Sequence, residues 1–275
     1  MFILDFITKL FGKTVPESAW PQSYGTFHII FILLVVVATT LLCIFFKNST
    51  DKVMRRIALI FWILITVLEI IKQVLFAYRG DGNYSYAWGS LPFQLCSSPL
   101  YALPFVAFMK DCKFRDTMMA FISTFAFFGG LVVFVYPNDV FYSEFVFIHY
   151  QTMIHHGTQL IIGIYLFVYN RKKANLMYFV RSILVFVAFC AVAFVLNEIM
   201  HVAKPDLNFN MFYFSPYIPN HLPILSAVWA WADSVGAPII FMFVYILGFT
   251  GISLGIQYAM VGINKLVQKL SKKNA

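Results

Sequence analysis

Cys96, in the stretch Leu91-Pro92-Phe93-Gln94-Leu95-Cys96, and the adjacent pair His155-His156 are the residues of this chain best suited to covalent chemistry. Both lie in segments apolar enough to span a bilayer. An ionised side chain at the centre of a membrane helix costs roughly 2.5–3.5 kcal/mol, so titratable groups there usually face a cavity and serve a function. A thiol is far cheaper to bury, and an imidazole is its natural activating partner. On position alone, a membrane cysteine is more often a small packing residue. The proximity of type, depth and partner is what turns Cys96 into a candidate nucleophile.

Other polar residues gather at the same depth. Thr66, Glu69 and Gln73 fall on one helical face, with Lys72 spaced to pair with Glu69. His149, Thr152, His156 and Gln159 recur at three- and four-residue steps as one stripe, from which His155 points about 100° away. Asn197, Glu198 and His201 cluster near the end of a later apolar run, and Asp233 opens the last one. Helix–helix hydrogen bonds, worth under about 1 kcal/mol each in membranes, account for Thr66, Thr152 and Asn197. They account poorly for two carboxylates and two adjacent histidines. Cys43, Cys112 and Cys190 lie at other depths or in a loop, so no disulfide is expected with Cys96.

The elements that must position these groups follow from composition. Hydrophobic residues make up 61% of 275 residues and charged residues 12%, with a mean hydropathy of +0.79. A soluble domain has roughly a quarter of its residues charged. The predicted class is an all-α, polytopic membrane protein with about seven transmembrane helices of roughly 20 residues each. Their expected extents are 27–46, 57–78, 91–109, 117–136, 144–169, 179–200 and 233–258. Residues 1–26 are expected to hold a short interfacial helix, 27–260 the membrane domain and 261–275 a basic tail. Lysine and arginine concentrate after the first, third, fifth and last spans, which predicts an outside N-terminus and a cytoplasmic C-terminus. The net charge of +8 is explained by that bias, and no nucleic-acid partner is implied. The connection before the last span is long and aromatic, as a cap over a cavity would be.

The stretch Leu91–Cys96 resembles the Leu-Pro-Leu-His-Leu-Cys signature of YwaF-type bacterial integral membrane proteins, and His156-Gly157 resembles their Ser-His-Gly. The order of spans matches as well, over roughly residues 27–260. That family is grouped with a mammalian transmembrane acyltransferase that remodels ether phospholipids, and more distantly with seven-helix hydrolases of fatty-acid esters of hydroxy fatty acids. The resemblance implies a membrane Cys and His as catalytic residues, mapping onto Cys96 and His156, in a bacterial cytoplasmic membrane. This chain carries Gln94 where the family commonly has His, and His155 where it has Ser.

The expected activity is acyl transfer from a phospholipid to a lysolipid or lipoprotein. Cys96 would hold the acyl group, and His156, or His155 in its place, would move the proton. Glu69 or Glu198 would orient the imidazole, Gln94 or Gln73 would donate to the oxyanion, and His149 and His201 would support the site. Neither a cofactor nor a bound metal is required. Two alternatives rest on the same residues. A metal-dependent lipid hydrolase would use His149, His156, His201 and a carboxylate. A transporter would relay protons through Glu69, Lys72 and the histidines. A non-catalytic scaffold remains the third.

Overall fold

The computed structural model describes residues 2–137 and 140–273. Within them the chain is all-helical: α1 (Phe2–Phe11), α2 (Thr26–Phe46), α3 (Asp51–Ala77), α4 (Pro99–Phe108), α5 (Lys113–Phe121), α6 (Phe127–Val135), α7 (Val146–Tyr169), α8 (Leu176–Ala203), α9 (Leu225–Ser234) and α10 (Ile239–Lys273). A π-turn over Ile122–Ala126 joins α5 to α6, so the two form one rod. Five helices are long and apolar enough to cross a membrane: α2, α3, the α5–α6 rod, α8 and α10. The chain is therefore a multi-pass membrane protein.

The two remaining expected spans depart from that standard for different reasons. The third was expected as a helix over 91–109, but regular helix begins only at Pro99. Pro92 and Pro99 each lack an N–H and interrupt the ladder of main-chain bonds. Residues 88–98 instead form two 3₁₀ turns, Trp88–Ser90 and Leu95–Ser97. The end of α4 is capped by Arg55, whose Nε donates to Ala107 O at 2.8 Å and Nη2 to Phe108 O at 2.9 Å. α7 has 24 residues, enough to span, but its polar stripe lowers its apolarity.

That stripe explains the packing. Hydrocarbon offers no hydrogen-bond partners, so a polar helix must be shielded by protein. α7 buries fifteen of its 24 residues and packs against α2, α3 and the α5–α6 rod. α2 buries only His28 and presents Leu33, Leu34, Val36, Val37 and Leu41 outward. It is the shield, and α7 the pillar.

Close approach of the helices depends on glycine. A Cβ on Gly130 of α6 would lie 2.8 Å from the His156 carbonyl and 2.9 Å from Gln159 Cβ. A Cβ on Gly129 would meet the Cys96 amide nitrogen at 3.3 Å. α6 thus wedges between α7 and the Cys96 turn. Gly157 gives α2 the same access, Val35 Cγ2 lying 2.7 Å from where its Cβ would be.

On the opposite side of α6, aromatic rings fill the space between α5, α8 and α10. Phe125 stacks on Phe186 at 4.5 Å, Phe121 on Phe189 at 5.2 Å, and Tyr245 on Phe249 at 4.2 Å. α10 starts later than the expected 233, because Gly236 takes a left-handed φ of 69° and Pro238 follows. Asp233 consequently sits in the last turn of α9 rather than opening the span. α10 continues without a break through 261–273, the segment expected as a tail; residues 274–275 lie outside the described residues.

The three basic connections after α2, α4 and α7 meet at one end. Arg115 pairs with Asp51 at 2.7 Å and Asp111 at 3.0 Å, Lys173 with Asp111 and Asp116, and Arg171 with Asn48. The Lys173 ammonium beside Asp111 holds that carboxyl below its usual range. At the other end Ile7 and Phe11 of α1 pack on Ile71, Leu75, Phe145 and Ile148, while Phe2, Ile3, Phe6 and Leu10 stay exposed. An apolar face left open in this way suits a helix lying at a membrane surface.

Gly130→Ala is expected to destabilise the fold by about 1–3 kcal/mol, since the new methyl meets backbone. Gly255→Ala on α10, with nothing within 4 Å of its Cβ position, is expected to be neutral or to stabilise by up to about 1 kcal/mol. Thermal unfolding in detergent compares the two; equal behaviour would contradict the wedge.

Candidate functional site

A carbonyl in a 3₁₀ turn at membrane depth needs a donor from elsewhere, because the next helical turn is missing and water is scarce. The Cys96 carbonyl receives two. His155 Nε2 donates to it at 2.9 Å, and Gln159 Nε2 also donates to it. Both donors stand four residues apart on α7, so one helix face grips the turn. Nearby carbonyls are held likewise: Pro92 O by Tyr101 OH at 2.8 Å, Leu95 O by Ser98 Oγ at 2.6 Å, and Leu100 O by Trp62 Nε1 at 3.0 Å.

The structure thus turns His155 toward Cys96, although helical periodicity set it apart from the stripe. Its contact is with the main chain. Among the described residues no hydrogen bond joins the Cys96 sulfur to either imidazole. Because His155 Nε2 carries the donated proton, its Nδ1 is a bare acceptor, buried and unpaired among the described residues. The neighbouring ring is arranged in the opposite sense. His156 Nδ1 donates to Thr152 O at 2.7 Å, one turn back, so its Nε2 bears the free lone pair. The rings lie 5.3 Å apart, nearly edge to face.

α3 supplies the adjoining wall. Glu69 is buried, with Lys72 Nζ at 2.8 Å and Gln73 Nε2 at 2.7 Å from its Oε1. Gln73 also donates to Ser90 O at 2.6 Å and accepts from Ser90 Oγ at 3.2 Å, which ties α3 to the first 3₁₀ turn. Glu69 Oε2 is unpaired among the described residues. Gln94 donates from Nε2 to Asn210 O at 2.9 Å, in the α8–α9 connection.

Three expected supporting residues go elsewhere. His149 donates from Nε2 to Ser143 O at 2.9 Å and anchors the turn before α7. Glu198 accepts from Tyr217 OH at 3.0 Å, and His201 stacks on the Tyr217 ring at 3.9 Å. His149, His156 and His201, considered together as zinc ligands, therefore serve three separate sets of partners. Among the described residues no three of His, Cys, Asp and Glu are grouped as a metal ion would need. The arrangement consists of a cysteine on a gripped turn, two imidazoles that each give one nitrogen to a main-chain carbonyl, and the ion pair of buried Glu69 with half-buried Lys72.

A family model matches residues 23–249, and its description is the TMEM164 family. The chain belongs to the TMEM164 family. That match includes Cys96, both histidines, the α3 wall and the first third of α10. No curated protein and no solved structure matches the chain. Membership in the TMEM164 family agrees with a multi-pass membrane protein.

Two positioning features escaped the sequence reading. The Gly129-Gly130 pair was visible inside an apolar run, where adjacent small residues signal close helix approach. The Gln94–Asn210 bond spans 116 positions and had no local sign.

Replacing Gln159 by Leu, or His155 by Phe, removes one of two donors to the Cys96 carbonyl. Each is expected to cost about 0.5–1.5 kcal/mol, since the other donor remains. The double variant is expected to cost more than the sum, because only then is the carbonyl wholly unsatisfied. Chemical denaturation of the four proteins in one detergent gives the cycle, and strict additivity would mean the two donors do not share a task.

Proposed function

We propose that this protein moves a fatty acyl chain from a membrane phospholipid to a second amphiphile, with Cys96 as the nucleophile and His156 as the general base. The observation that carries the reading is the pairing of roles on α7. His155 and Gln159 hold the turn that bears the thiol, and His156, next to His155, has no hydrogen-bond partner at Nε2 among the described residues. Resemblance to acyltransferases with a membrane Cys and His supports the same assignment.

In the proposed cycle a rotation of the Cys96 side chain brings its sulfur to His156 Nε2, which takes the thiol proton. The thiolate attacks the ester carbonyl of the donor phospholipid. The tetrahedral intermediate collapses, the lysolipid oxygen leaves with the proton from His156, and a thioester remains on Cys96. His156 then accepts the proton of the acceptor hydroxyl or amine, whose attack breaks the thioester and returns a thiolate that is reprotonated. Gln94 is the amide closest in sequence to the nucleophile, and its Nε2 is the proposed oxyanion donor; one such donor is worth about 3–4 kcal/mol. Glu69, whose Oε2 is unpaired among the described residues, is the proposed carboxylate that orients the imidazole and offsets the charge of the transient imidazolium. Scarcity of water in the membrane favours transfer over hydrolysis.

The decisive experiment is intact-protein mass spectrometry after incubation with phospholipid vesicles. An adduct of acyl mass that maps to Cys96 is expected. Cys96→Ala is expected to abolish both adduct and transfer while leaving the fold intact, and His156→Ala to slow transfer roughly 10²–10⁴-fold. Cys43→Ala, Cys112→Ala and Cys190→Ala are expected to be silent. Full transfer by Cys96→Ala would refute the assignment, and loss of activity to a chelator with recovery on adding zinc would favour a metal hydrolase instead.

A further inference from the structure

The connection between α8 and α9 dives into the bundle instead of crossing its surface. Phe209, Met211, Phe212 and Phe214 are all buried. The Phe212 ring sits 5.5 Å from Phe93, three residues before Cys96, and 6.0 Å from Phe189. Its backbone is strained: Phe212 and Tyr213 both take left-handed φ values, 60° and 51°, without being glycine. Such a conformation persists only where its surroundings enforce it.

The enforcement comes from a few side chains on three other elements. The Asn197 amide of α8 pairs both ways with Met211, donating to its carbonyl at 3.1 Å and accepting from its N–H at 2.8 Å. Tyr245 OH of α10 donates to Phe212 O at 2.7 Å. Gln94 Nε2, beside the candidate nucleophile, donates to Asn210 O at 2.9 Å. A segment held by isolated clamps, strained and sealing an apolar slot, has the construction of a two-position element.

We infer that residues 207–217 form a lid over the Cys96 turn, latched by Asn197, whose withdrawal vacates the space filled by Phe212 and releases the Gln94 amide. The vacated slot is lined by Phe93 and Phe189, which suits a hydrocarbon chain. This assignment rests on the proposed acyl transfer for what enters the slot, but not for the motion itself. Closed, the lid occupies both the chain's place and the oxyanion donor; open, it yields both together. Gln94 thereby couples lid position to competence, and Asn197 is a positioning residue that touches no reacting atom.

Accessibility of the thiol tests the lid without any turnover. The full chain in phosphatidylcholine nanodiscs is treated with N-ethylmaleimide, and alkylation of the Cys96 peptide is followed by mass spectrometry. Asn197→Ala loses a doubly bonded clamp and is expected to label Cys96 about tenfold faster than wild type. Cys112, at the opposite end of the molecule, should keep its rate. Tyr245→Phe keeps the ring in its stack, loses one bond, and should show a smaller acceleration. Hydrogen exchange should rise in 207–217 and stay unchanged in α7. Labelling of Cys96 within twofold of wild type in both variants would overturn the lid, as would acceleration of Cys96 and Cys190 together with loss of α7 protection. An acyl adduct on Cys96 with unchanged labelling would refute the lid alone, and faster labelling with no adduct would refute the acyl transfer alone.

Discussion

The main-chain carbonyl of Cys96 is the constraint around which this molecule is arranged. It lies in a turn that two prolines keep from being helix, within a stretch apolar enough for the membrane. An unpaired carbonyl there would cost several kcal/mol. His155 and Gln159 meet that need, and their presence makes α7 too polar to face lipid. α7 must then be the central helix, which in turn requires α2 as an outer shield and glycines at 129, 130 and 157 where neighbours press closest.

The same constraint divides the two adjacent histidines. One imidazole is committed to the backbone it supports, and the other is held by its own helix through Nδ1. In the proposed cycle His155 holds the turn that bears Cys96 and His156 is left to move the proton. Glu69 and Lys72 add a nearly neutral pair, so the wall is polar without imposing a large net field.

The two ends of the bundle have different characters. One is pinned by ion pairs among Asp51, Asp111, Arg115, Asp116 and Lys173, with the Arg115 side chain almost fully buried. The other is closed by aromatic packing and by amide clamps on the α8–α9 connection. On the inferred lid, rigid closure at one end and a small number of clamps at the other put the moving part of the fold near Cys96.

Local chemistry in the sequence was enough for the helical membrane class, for the gathering of basic connections and for the Glu69–Lys72 pair, since hydropathy, charge bias and a three-residue helical spacing are short-range properties. It also singled out Cys96 and the two histidines, because such groups are costly or rare where the surrounding residues are apolar. Which imidazole reaches the Cys96 turn was beyond it. The His155 bond links positions 59 apart, and helical periodicity fixes only relative angles on one helix, not which face meets a neighbour. The failure of 91–98 to be helical, the removal of His149, Glu198 and His201 to other partners, and the descent of Phe212 into the core were likewise decided by tertiary contacts. Each depends on donors and rings delivered by other helices, and only the assembled bundle brings them together.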